Sequence, residues 1–503
     1  MHKAIAPSFG GDDLAGAPPP QRAYASQTLC STGMQMTELW KHSAGYLAQA
    51  IARGELSSRE VVAAHLDRIA AVNPKLNAVV QVLADDALKM ADAADSAVSS
   101  GTKLGPLHGV PVSIKCNIDM KGIASTWGIP ALEQAVADQD SPLVENLRSA
   151  GAIPIARTNC PDLGMRVHTD SSLYGLTRNP WDFERTAGGS SGGEGSALAS
   201  GMSPLGFGND IGGSLRNPAN ACGIASIKPS AGRVPDATQP PFENRPLAWQ
   251  CMAVHGAMAR TVTDVRLGLK AIMGVHPRDP LAVAAPFDGP RDSVRIAVLP
   301  NPPGGSCAGV VSGAVRKAAD ALSGAGYEVQ EVTPPLYEEV VLAWGQLLMG
   351  DYAALWDQMA PIMGKEGRHF FESIFDRYPR FRSAADMSQL LMTRDKLSRG
   401  WSEFMASYPL ILSPTWTQLP FLHGFDVQSQ QAIGQTLEMM RPVTPANFLG
   451  LPSACVPVTR DEQTGLPIGV LITGRRFRED QCLNAAEAVE QAGGVGTPID
   501  PRW

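Results

Sequence analysis

The 503-residue sequence predicts an α/β fold built around a mixed β-sheet. Three observations carry that prediction. Short β-branched runs alternate with stretches of helical periodicity, and the 44% of hydrophobic residues can fill a large buried core. No internal repeat and no clean linker divides the chain.

The elements follow in order. From Thr37, the apolar residues Leu39, Leu47 and Ile51 recur near the helical period and Gly54 ends the run, so one helix is predicted there. Ser57-Ser58-Arg59-Glu60 reads as a capping box opening a second helix, with Val61, Val62, Leu66 and Ile69 as its buried stripe and Asn73-Pro74 as its close. Residues 83–99 form an Ala-rich helix and 101–106 a loop. Val110 to Ile114 and Ala152 to Ala156 have the length and composition of buried strands. Strand-like runs recur at 295–299, 410–412, 454–458 and 468–472, with helical stretches at 313–324 and 479–491. Residues 1–35 lack an apolar run of signal-peptide length and are expected to be a disordered extension, with Met34 or Met36 as an alternative start.

Composition removes several function classes. With 42 basic and 49 acidic residues the net charge is −7, and no strong polybasic run exists, so neither nucleic acid nor an anionic membrane is expected as a partner. No run of about 18 apolar residues is present to span a bilayer. The eight cysteines show no CxxC and no regular spacing, and the nine histidines no HExxH. A reducing, cytoplasmic setting without disulfide framework, metal or other cofactor is the expectation.

The chemistry concentrates in residues 187–218, AGGSSGGEGSALASGMSPLGFGNDIGGSLRNP, with ten glycines in 32 positions. Each glycine costs conformational entropy on folding unless its missing Cβ is used, so something must approach this backbone closely. A phosphate loop fails because GxxxxGK[ST] needs a Lys and a hydroxyl that neither glycine cluster supplies. A nucleophile elbow is matched literally by Gly188-Gly189-Ser190-Ser191-Gly192, but Trp181 to Thr186 is charged and non-alternating where a strand is needed, and the last histidine is His423. In the third reading, the small residues of Asp210-Ile211-Gly212-Gly213-Ser214-Leu215-Arg216 aim several N–H groups at one point, as the anionic oxygen of a tetrahedral acyl intermediate requires. A serine there still needs a base from outside the segment.

The run from Gly188 to Pro229 resembles the signature of the amidase signature family, serine hydrolases with a Ser-cisSer-Lys triad, and Gly109-Val-Pro-Val-Ser-Ile-Lys115 is similar to the family's GxPxxxK motif. His255 to Asp264, Ser413-Pro-Thr415, Gly450 to Ser453 and Gly465 to Gly469 are similar to later blocks, so the resemblance covers roughly residues 37–490. It implies a single large domain over 36–503, with helices on both faces of the sheet, a signature core at about 109–264 and a variable region at about 337–425. It also implies Ser214 as nucleophile, Ser190 as the middle serine after a cis bond from Gly189, and Lys115 as base. The oxyanion is then held by N–H groups of Ile211, Gly212, Gly213 and Ser214, while Asp210 and Arg216 pair beneath the loop and Ser191 lends its hydroxyl to Lys115 or the hole. For the relay to run, Lys115 must be neutral, which burial among Val110, Val112 and Ile114 favours. Three positions depart from the family pattern: Cys116 replaces the usual Asp, Asn209 stands where Thr is frequent, and Gly256-Ala257-Met258 replaces Gly-Pro-Met.

The implied activity is cofactor-free hydrolysis of a small-molecule amide, anilide or carbamate. Of 9 Trp, 8 Tyr and 14 Phe, 15 fall in the 89 residues 337–425. They form either a helical core layer or, with Met349, Met359, Met363, Met387 and Met392, the wall of an apolar substrate pocket. Three alternatives stay open: the glutamine-hydrolysing A-type subunit of a tRNA-dependent amidotransferase, a Ser-His-Asp esterase using Ser190, and a binding protein with a decayed site. A homodimer is compatible with the sequence.

Overall fold

The β-branched runs lie side by side in one sheet. A computed structural model describes residues 36–237, 245–290, 294–378 and 381–502; the extension expected over 1–35 lies outside them. In chain order the strands are β1 Val79–Val82, β2 Pro111–Lys115, β3 Ile153–Thr158, β4 Asp170–Ser171, β5 Gly175–Leu176, β6 Leu205–Asp210, β7 Ala225–Lys228, β8 Val254–Ala259, β9 Arg295–Val298, β10 Glu328–Glu331, β11 Leu410–Pro414, β12 Ser453–Arg460 and β13 Pro467–Gly474. Eleven of them form a single sheet in the order β1-β3-β2-β6-β8-β7-β12-β13-β11-β9-β10, and β4 pairs only with β5. The sheet is mixed: β2 runs parallel to β3 and β6, and β9 parallel to β10 and β11, whereas β6 and β8, β7 and β12, and β12 and β13 are antiparallel.

The two-residue period of the strands sends alternate side chains to opposite faces, and both faces are covered. Leu410, Leu412, Val470 and Ile472 join one core, packed by the helices Val262–Ile272, Gly309–Gly324 and Glu479–Ala492. Their neighbours Ile411 and Leu471 join a second core with the helices Tyr337–Met359, Lys365–Phe375 and Ala384–Ser407. Strands buried on both sides carry no alternation, which is why the runs at 110–114 and 152–156 read as continuous apolar stretches. No described helix is long and apolar enough to cross a membrane.

Local signals and structure agree at most helices and part at two. Ser57 and Glu60 form the capping box, with the Ser57 side chain accepting from the Glu60 N–H. The single helix expected from Thr37 is instead a 3-10 turn, Met36–Lys41, followed by a helix Ala44–Ala52 that starts at Ser43, whose side chain accepts from the Tyr46 N–H. Ser43 thereby opens a new helix inside an apolar period that continues across it. Asn73-Pro74 does not close the second helix, which runs to Leu76 with Pro74 inside its last turn. The missing N–H of Pro74 removes one ladder bond there, and Asn77 ends the helix in the left-handed conformation at φ 52°. The central strands β6, β7 and β8 add to the runs expected from sequence. Their glycines and polar residues, as in Leu205-Gly-Phe-Gly-Asn-Asp210, hide the strand pattern, yet β6, fourth of the eleven strands, carries Asn209 and Asp210 at its C-terminal end.

Candidate active site

Lys115 ends β2, a strand buried along its whole length, and its own side chain is fully buried. Its Nζ is hydrogen-bonded to Ser190 Oγ at 2.8 Å and donates to Asn209 Oδ1 at 2.7 Å. Asn209 in turn donates through Nδ2 to Asn117 Oδ1 at 3.1 Å. Burial pulls the amine below its ordinary value, and the charges of Cys160, Cys116, Asp210 and Glu194 oppose the pull in part. A neutral amine has two N–H groups and one lone pair. The acceptor-only oxygen of Asn209 takes one N–H, so the other N–H and the lone pair remain on the amine beside the Ser190 hydroxyl. The departure at position 209 therefore supplies a support of its own. Cys116 is buried, with its Sγ 3.4 Å from that of Cys160.

The glycine-rich turn is held from outside. The Gly189–Ser190 peptide is cis. Thr169 Oγ1 donates to the Gly188 carbonyl at 2.9 Å and accepts from the Gly192 N–H at 3.0 Å. A Cβ on Gly189 would stand 2.5 Å from the Val167 backbone, so the close approach demands glycine. Ser191 Oγ, expected to reach Lys115 or the hole, makes no hydrogen bond among the described residues and packs 2.7 Å from where a Cβ of Gly208 would lie. Its N–H instead donates to the Ser214 carbonyl at 3.2 Å.

The turn after β6 is organised by Asp210. Its carboxylate accepts from Arg216 Nε at 3.0 Å and Nη2 at 2.8 Å, and from Asn447 Nδ2 at 2.9 Å, all buried. Burial alone would raise this carboxyl, but the Arg216 charge and hydrogen bonds outweigh it and hold the group well below the usual carboxylate range. The same carboxylate accepts from the Gly213 N–H at 2.8 Å and the Leu215 N–H at 3.0 Å. The Gly213 N–H, expected as one of four oxyanion donors, is therefore engaged within the chain. Gly213 has φ 101°, and a Cβ there would meet Val443 Cγ2 at 2.6 Å, so the residue shapes the turn. Trp344 Nε1 donates to the Ile211 carbonyl at 2.9 Å and orients the peptide whose N–H belongs to Gly212.

Ser214 lies where two cavities meet. One, of about 520 Å³, is lined by Trp344, Leu348, Met349, Tyr352, Phe371 and Met440. Arg166 also lines it, but is bound to Asp426 through Nε at 2.9 Å and Nη2 at 3.0 Å. The other, of about 560 Å³, contains Ser190, Asn117 and Asn209 with Trp127 and Trp249. The aromatic segment thus serves both purposes, core layer and pocket wall. Of the five methionines expected at the pocket wall only Met349 lines either of these cavities; Met359 and Met363 are buried in core, Met387 packs against it and Met392 is exposed.

Among the described residues no histidine is hydrogen-bonded to Ser190 or Ser214. His423 Nε2 lies 2.6 Å from the Phe183 carbonyl, and no strand precedes the Gly188 turn as an elbow would need. Two groups at the site carry no signal in the sequence. Asn117 is silent because its role depends on Asn209. Glu194, the one carboxylate of the glycine-rich run before Asp210, is fully buried, accepts from Ser113 Oγ at 2.6 Å and Thr158 Oγ1 at 2.8 Å, and is pushed up to about 7 by burial.

The family model described as Amidase matches residues 60–483. An indoleacetamide hydrolase of Bradyrhizobium diazoefficiens is 41% identical over 464 residues, covering 91% of this chain and 87% of the relative. The A-type subunit of the glutamyl-tRNA(Gln) amidotransferase of Salinispora arenicola is 30% identical over 505 residues, covering 92% and 99%. The solved structure of a bacterial aryl acylamidase, described as an amidase signature enzyme, superimposes with a TM-score of 0.77 at 27% identity, covering 91% of this chain and 96% of that one.

Proposed function

Because the chain belongs to the amidase signature family, we propose that it hydrolyses the C–N bond of a small amide with an apolar or aryl acyl group through an acyl-enzyme on Ser214. The observation that carries this reading is the buried contact between Lys115 and Ser190 in the cleft that also holds Ser214. Desolvation lowers the amine's pKa and so favours the neutral form, which can draw the proton of Ser190 while Ser190 draws that of Ser214. The freed Ser214 oxygen attacks the carbonyl carbon, and the N–H groups of Ile211, Gly212 and Ser214 receive the developing oxyanion. One such donor is typically worth ~3–4 kcal/mol of barrier. The relay run in reverse protonates the leaving nitrogen, and a water then takes its place and releases the carboxylate.

The acyl preference follows from the cavity walls. Trp344, Phe371 and Met349 offer apolar surface, and the Arg166 charge is already met by Asp426. Such a pocket rewards a ring, and its one charged wall residue, Arg166, is already paired, which weighs against a charged glutamine and the amidotransferase reading. The indoleacetamide hydrolase relative is named for a substrate of that kind. Free cysteines without a disulfide among the described residues support a reducing, cytoplasmic setting.

The test is hydrolysis by the purified chain of a panel of aryl and aliphatic amides, anilides, carbamates and esters, with mass spectrometry of the trapped intermediate. The expected result is turnover of aryl-acyl amides by the chain alone, an adduct on Ser214, and loss of turnover in Ser214→Ala. An adduct elsewhere, or full activity in that variant, removes the assignment.

A further inference from the structure

The second cavity is far larger than the smallest leaving group requires. One water needs about 10–15 Å³ of room for its centre, whereas the cleft on the Ser190 side of Ser214 offers about 60 Å³ on that measure. Which half of the substrate enters it is decided by the proton. The leaving nitrogen must receive a hydrogen from the Ser190 relay, and Ser190 lines this cavity but not the Trp344 one. The acyl group therefore occupies the Trp344 cavity, and the amine half the cavity of Ser190. Tyr352 borders both, held by the Trp249 Nε1 hydrogen bond to its hydroxyl at 3.0 Å, so Trp249 and Tyr352 form the partition.

The amine-side wall is built with care. Trp127 and Trp249 stack with ring centroids 5.5 Å apart and planes at 15°. Trp127 has φ 50° and Leu163 φ 53°, left-handed values that are costly for bulky side chains, and the Leu163 N–H donates to the Trp127 carbonyl at 2.8 Å. Both residues line the cavity. Strain held at two adjoining wall positions is what a binding surface, and not a solvent channel, would keep. Polar groups complete the wall: Asp236 accepts from Arg245 Nη1 at 2.8 Å and pairs with His255 Nε2 at 3.1 Å, so the carboxylate and the guanidinium balance each other.

We infer that the enzyme takes secondary amides whose amine half carries an aromatic ring, seated against Trp127 and Trp249, and not primary amides alone. This rests on the amidase reading above. The balance is that of hydrolysis: the bond from Ser214 Oγ to the carbonyl carbon forms, the C–N bond breaks, and the Ser214 proton leaves with the arylalkylamine by way of Ser190 and Lys115. Water then returns a proton to Ser214 as the carboxylate departs.

The experiment holds one arylacetyl group constant and compares kcat/KM for its primary, N-methyl and N-benzyl amides, whose leaving groups all have amine-like basicity. The N-benzyl amide should exceed the N-methyl amide by tenfold or more. Trp249→Ala should shrink that ratio toward one, while Trp249→Phe, which keeps a ring but not the N–H, should retain most of it. If Trp249→Ala does not fold, Trp127→Ala serves the same purpose. Turnover of the primary amide with none of the N-benzyl amide, or an unchanged ratio in a folded alanine variant, overturns the inference alone. Turnover of no amide overturns the amidase reading and the inference with it.

Discussion

Lys115 Nζ lies 2.7 Å from Asn209 Oδ1 and 2.8 Å from Ser190 Oγ, so the amide oxygen and the hydroxyl share one amine. Replacing the neutral acceptor by a carboxylate, Asn209→Asp, keeps the oxygen but adds a charge that favours the ammonium. Because the base must be neutral, activity rises with pH through the Lys115 ionisation. The variant should move the acid limb of the kcat/KM profile to higher pH, with less change at alkaline pH. A pH profile of both proteins measures it, and an unmoved limb separates Asn209 from the base.

Lys115 and His423 discriminate between two hydrolase chemistries. Lys115→Ala should cost roughly 10³-fold or more in kcat, as loss of a member of a catalytic unit does. His423, bonded to the Phe183 carbonyl, should tolerate alanine with a change of less than about threefold, the scale of a surface effect. Steady-state rates on the best substrate decide, and the reverse outcome restores the esterase.

Asp210→Asn breaks the charge balance of a buried pair with no exposure on either side chain. Loss of one partner of such a pair costs about 3–5 kcal/mol, so the denaturant midpoint should fall well below the wild-type value at pH 7. The folded carboxyl is depressed, so its contribution is present above the unfolded value and is lost as pH falls through the folded one. The stability gap between wild type and variant should therefore be constant from neutral pH down to about 5 and shrink below about 4. A gap independent of pH would show that the ionised form is not what matters.

Glu194 titrates in the opposite sense. Its folded carboxyl is raised to about 7 by burial, so the folded state holds its proton more tightly than the unfolded chain. That preference is fully present below the unfolded value and disappears as pH rises through 7. Relative to Glu194→Gln, the wild type should lose about 1–3 kcal/mol of stability between pH 5 and pH 8. Urea unfolding at the two pH values tests this, and parallel behaviour of the two proteins would mean that Glu194 does not titrate in that window.

Much of the fold could be read from neighbouring residues alone. The Ser57–Glu60 capping box, the Ala-rich helix and the fully buried strands at 111–115 and 153–158 depend on contacts within a few positions or on composition that both faces of a sheet impose. Strands β6 and β8 are hidden by glycines that allow close approach, which erase the strand pattern, and β7 by its short polar sequence ASIK. The order of the Lys115, Ser190 and Ser214 motifs was equally plain along the chain.

What no linear reading could supply is competition among groups far apart in sequence. Asn209 meets Lys115 across 94 residues, and Asn447 reaches Asp210 across 237. A hydrogen-bond donor has one strong acceptor at a time, so whether the Gly213 N–H serves substrate or Asp210 is settled only when the turn closes on that carboxylate. The sequence by itself determined which reactive groups the protein owns and the local elements that bear them. The tertiary structure decided which of those groups remain free to act, because hydrogen-bond partners and cavity walls are chosen by proximity in space.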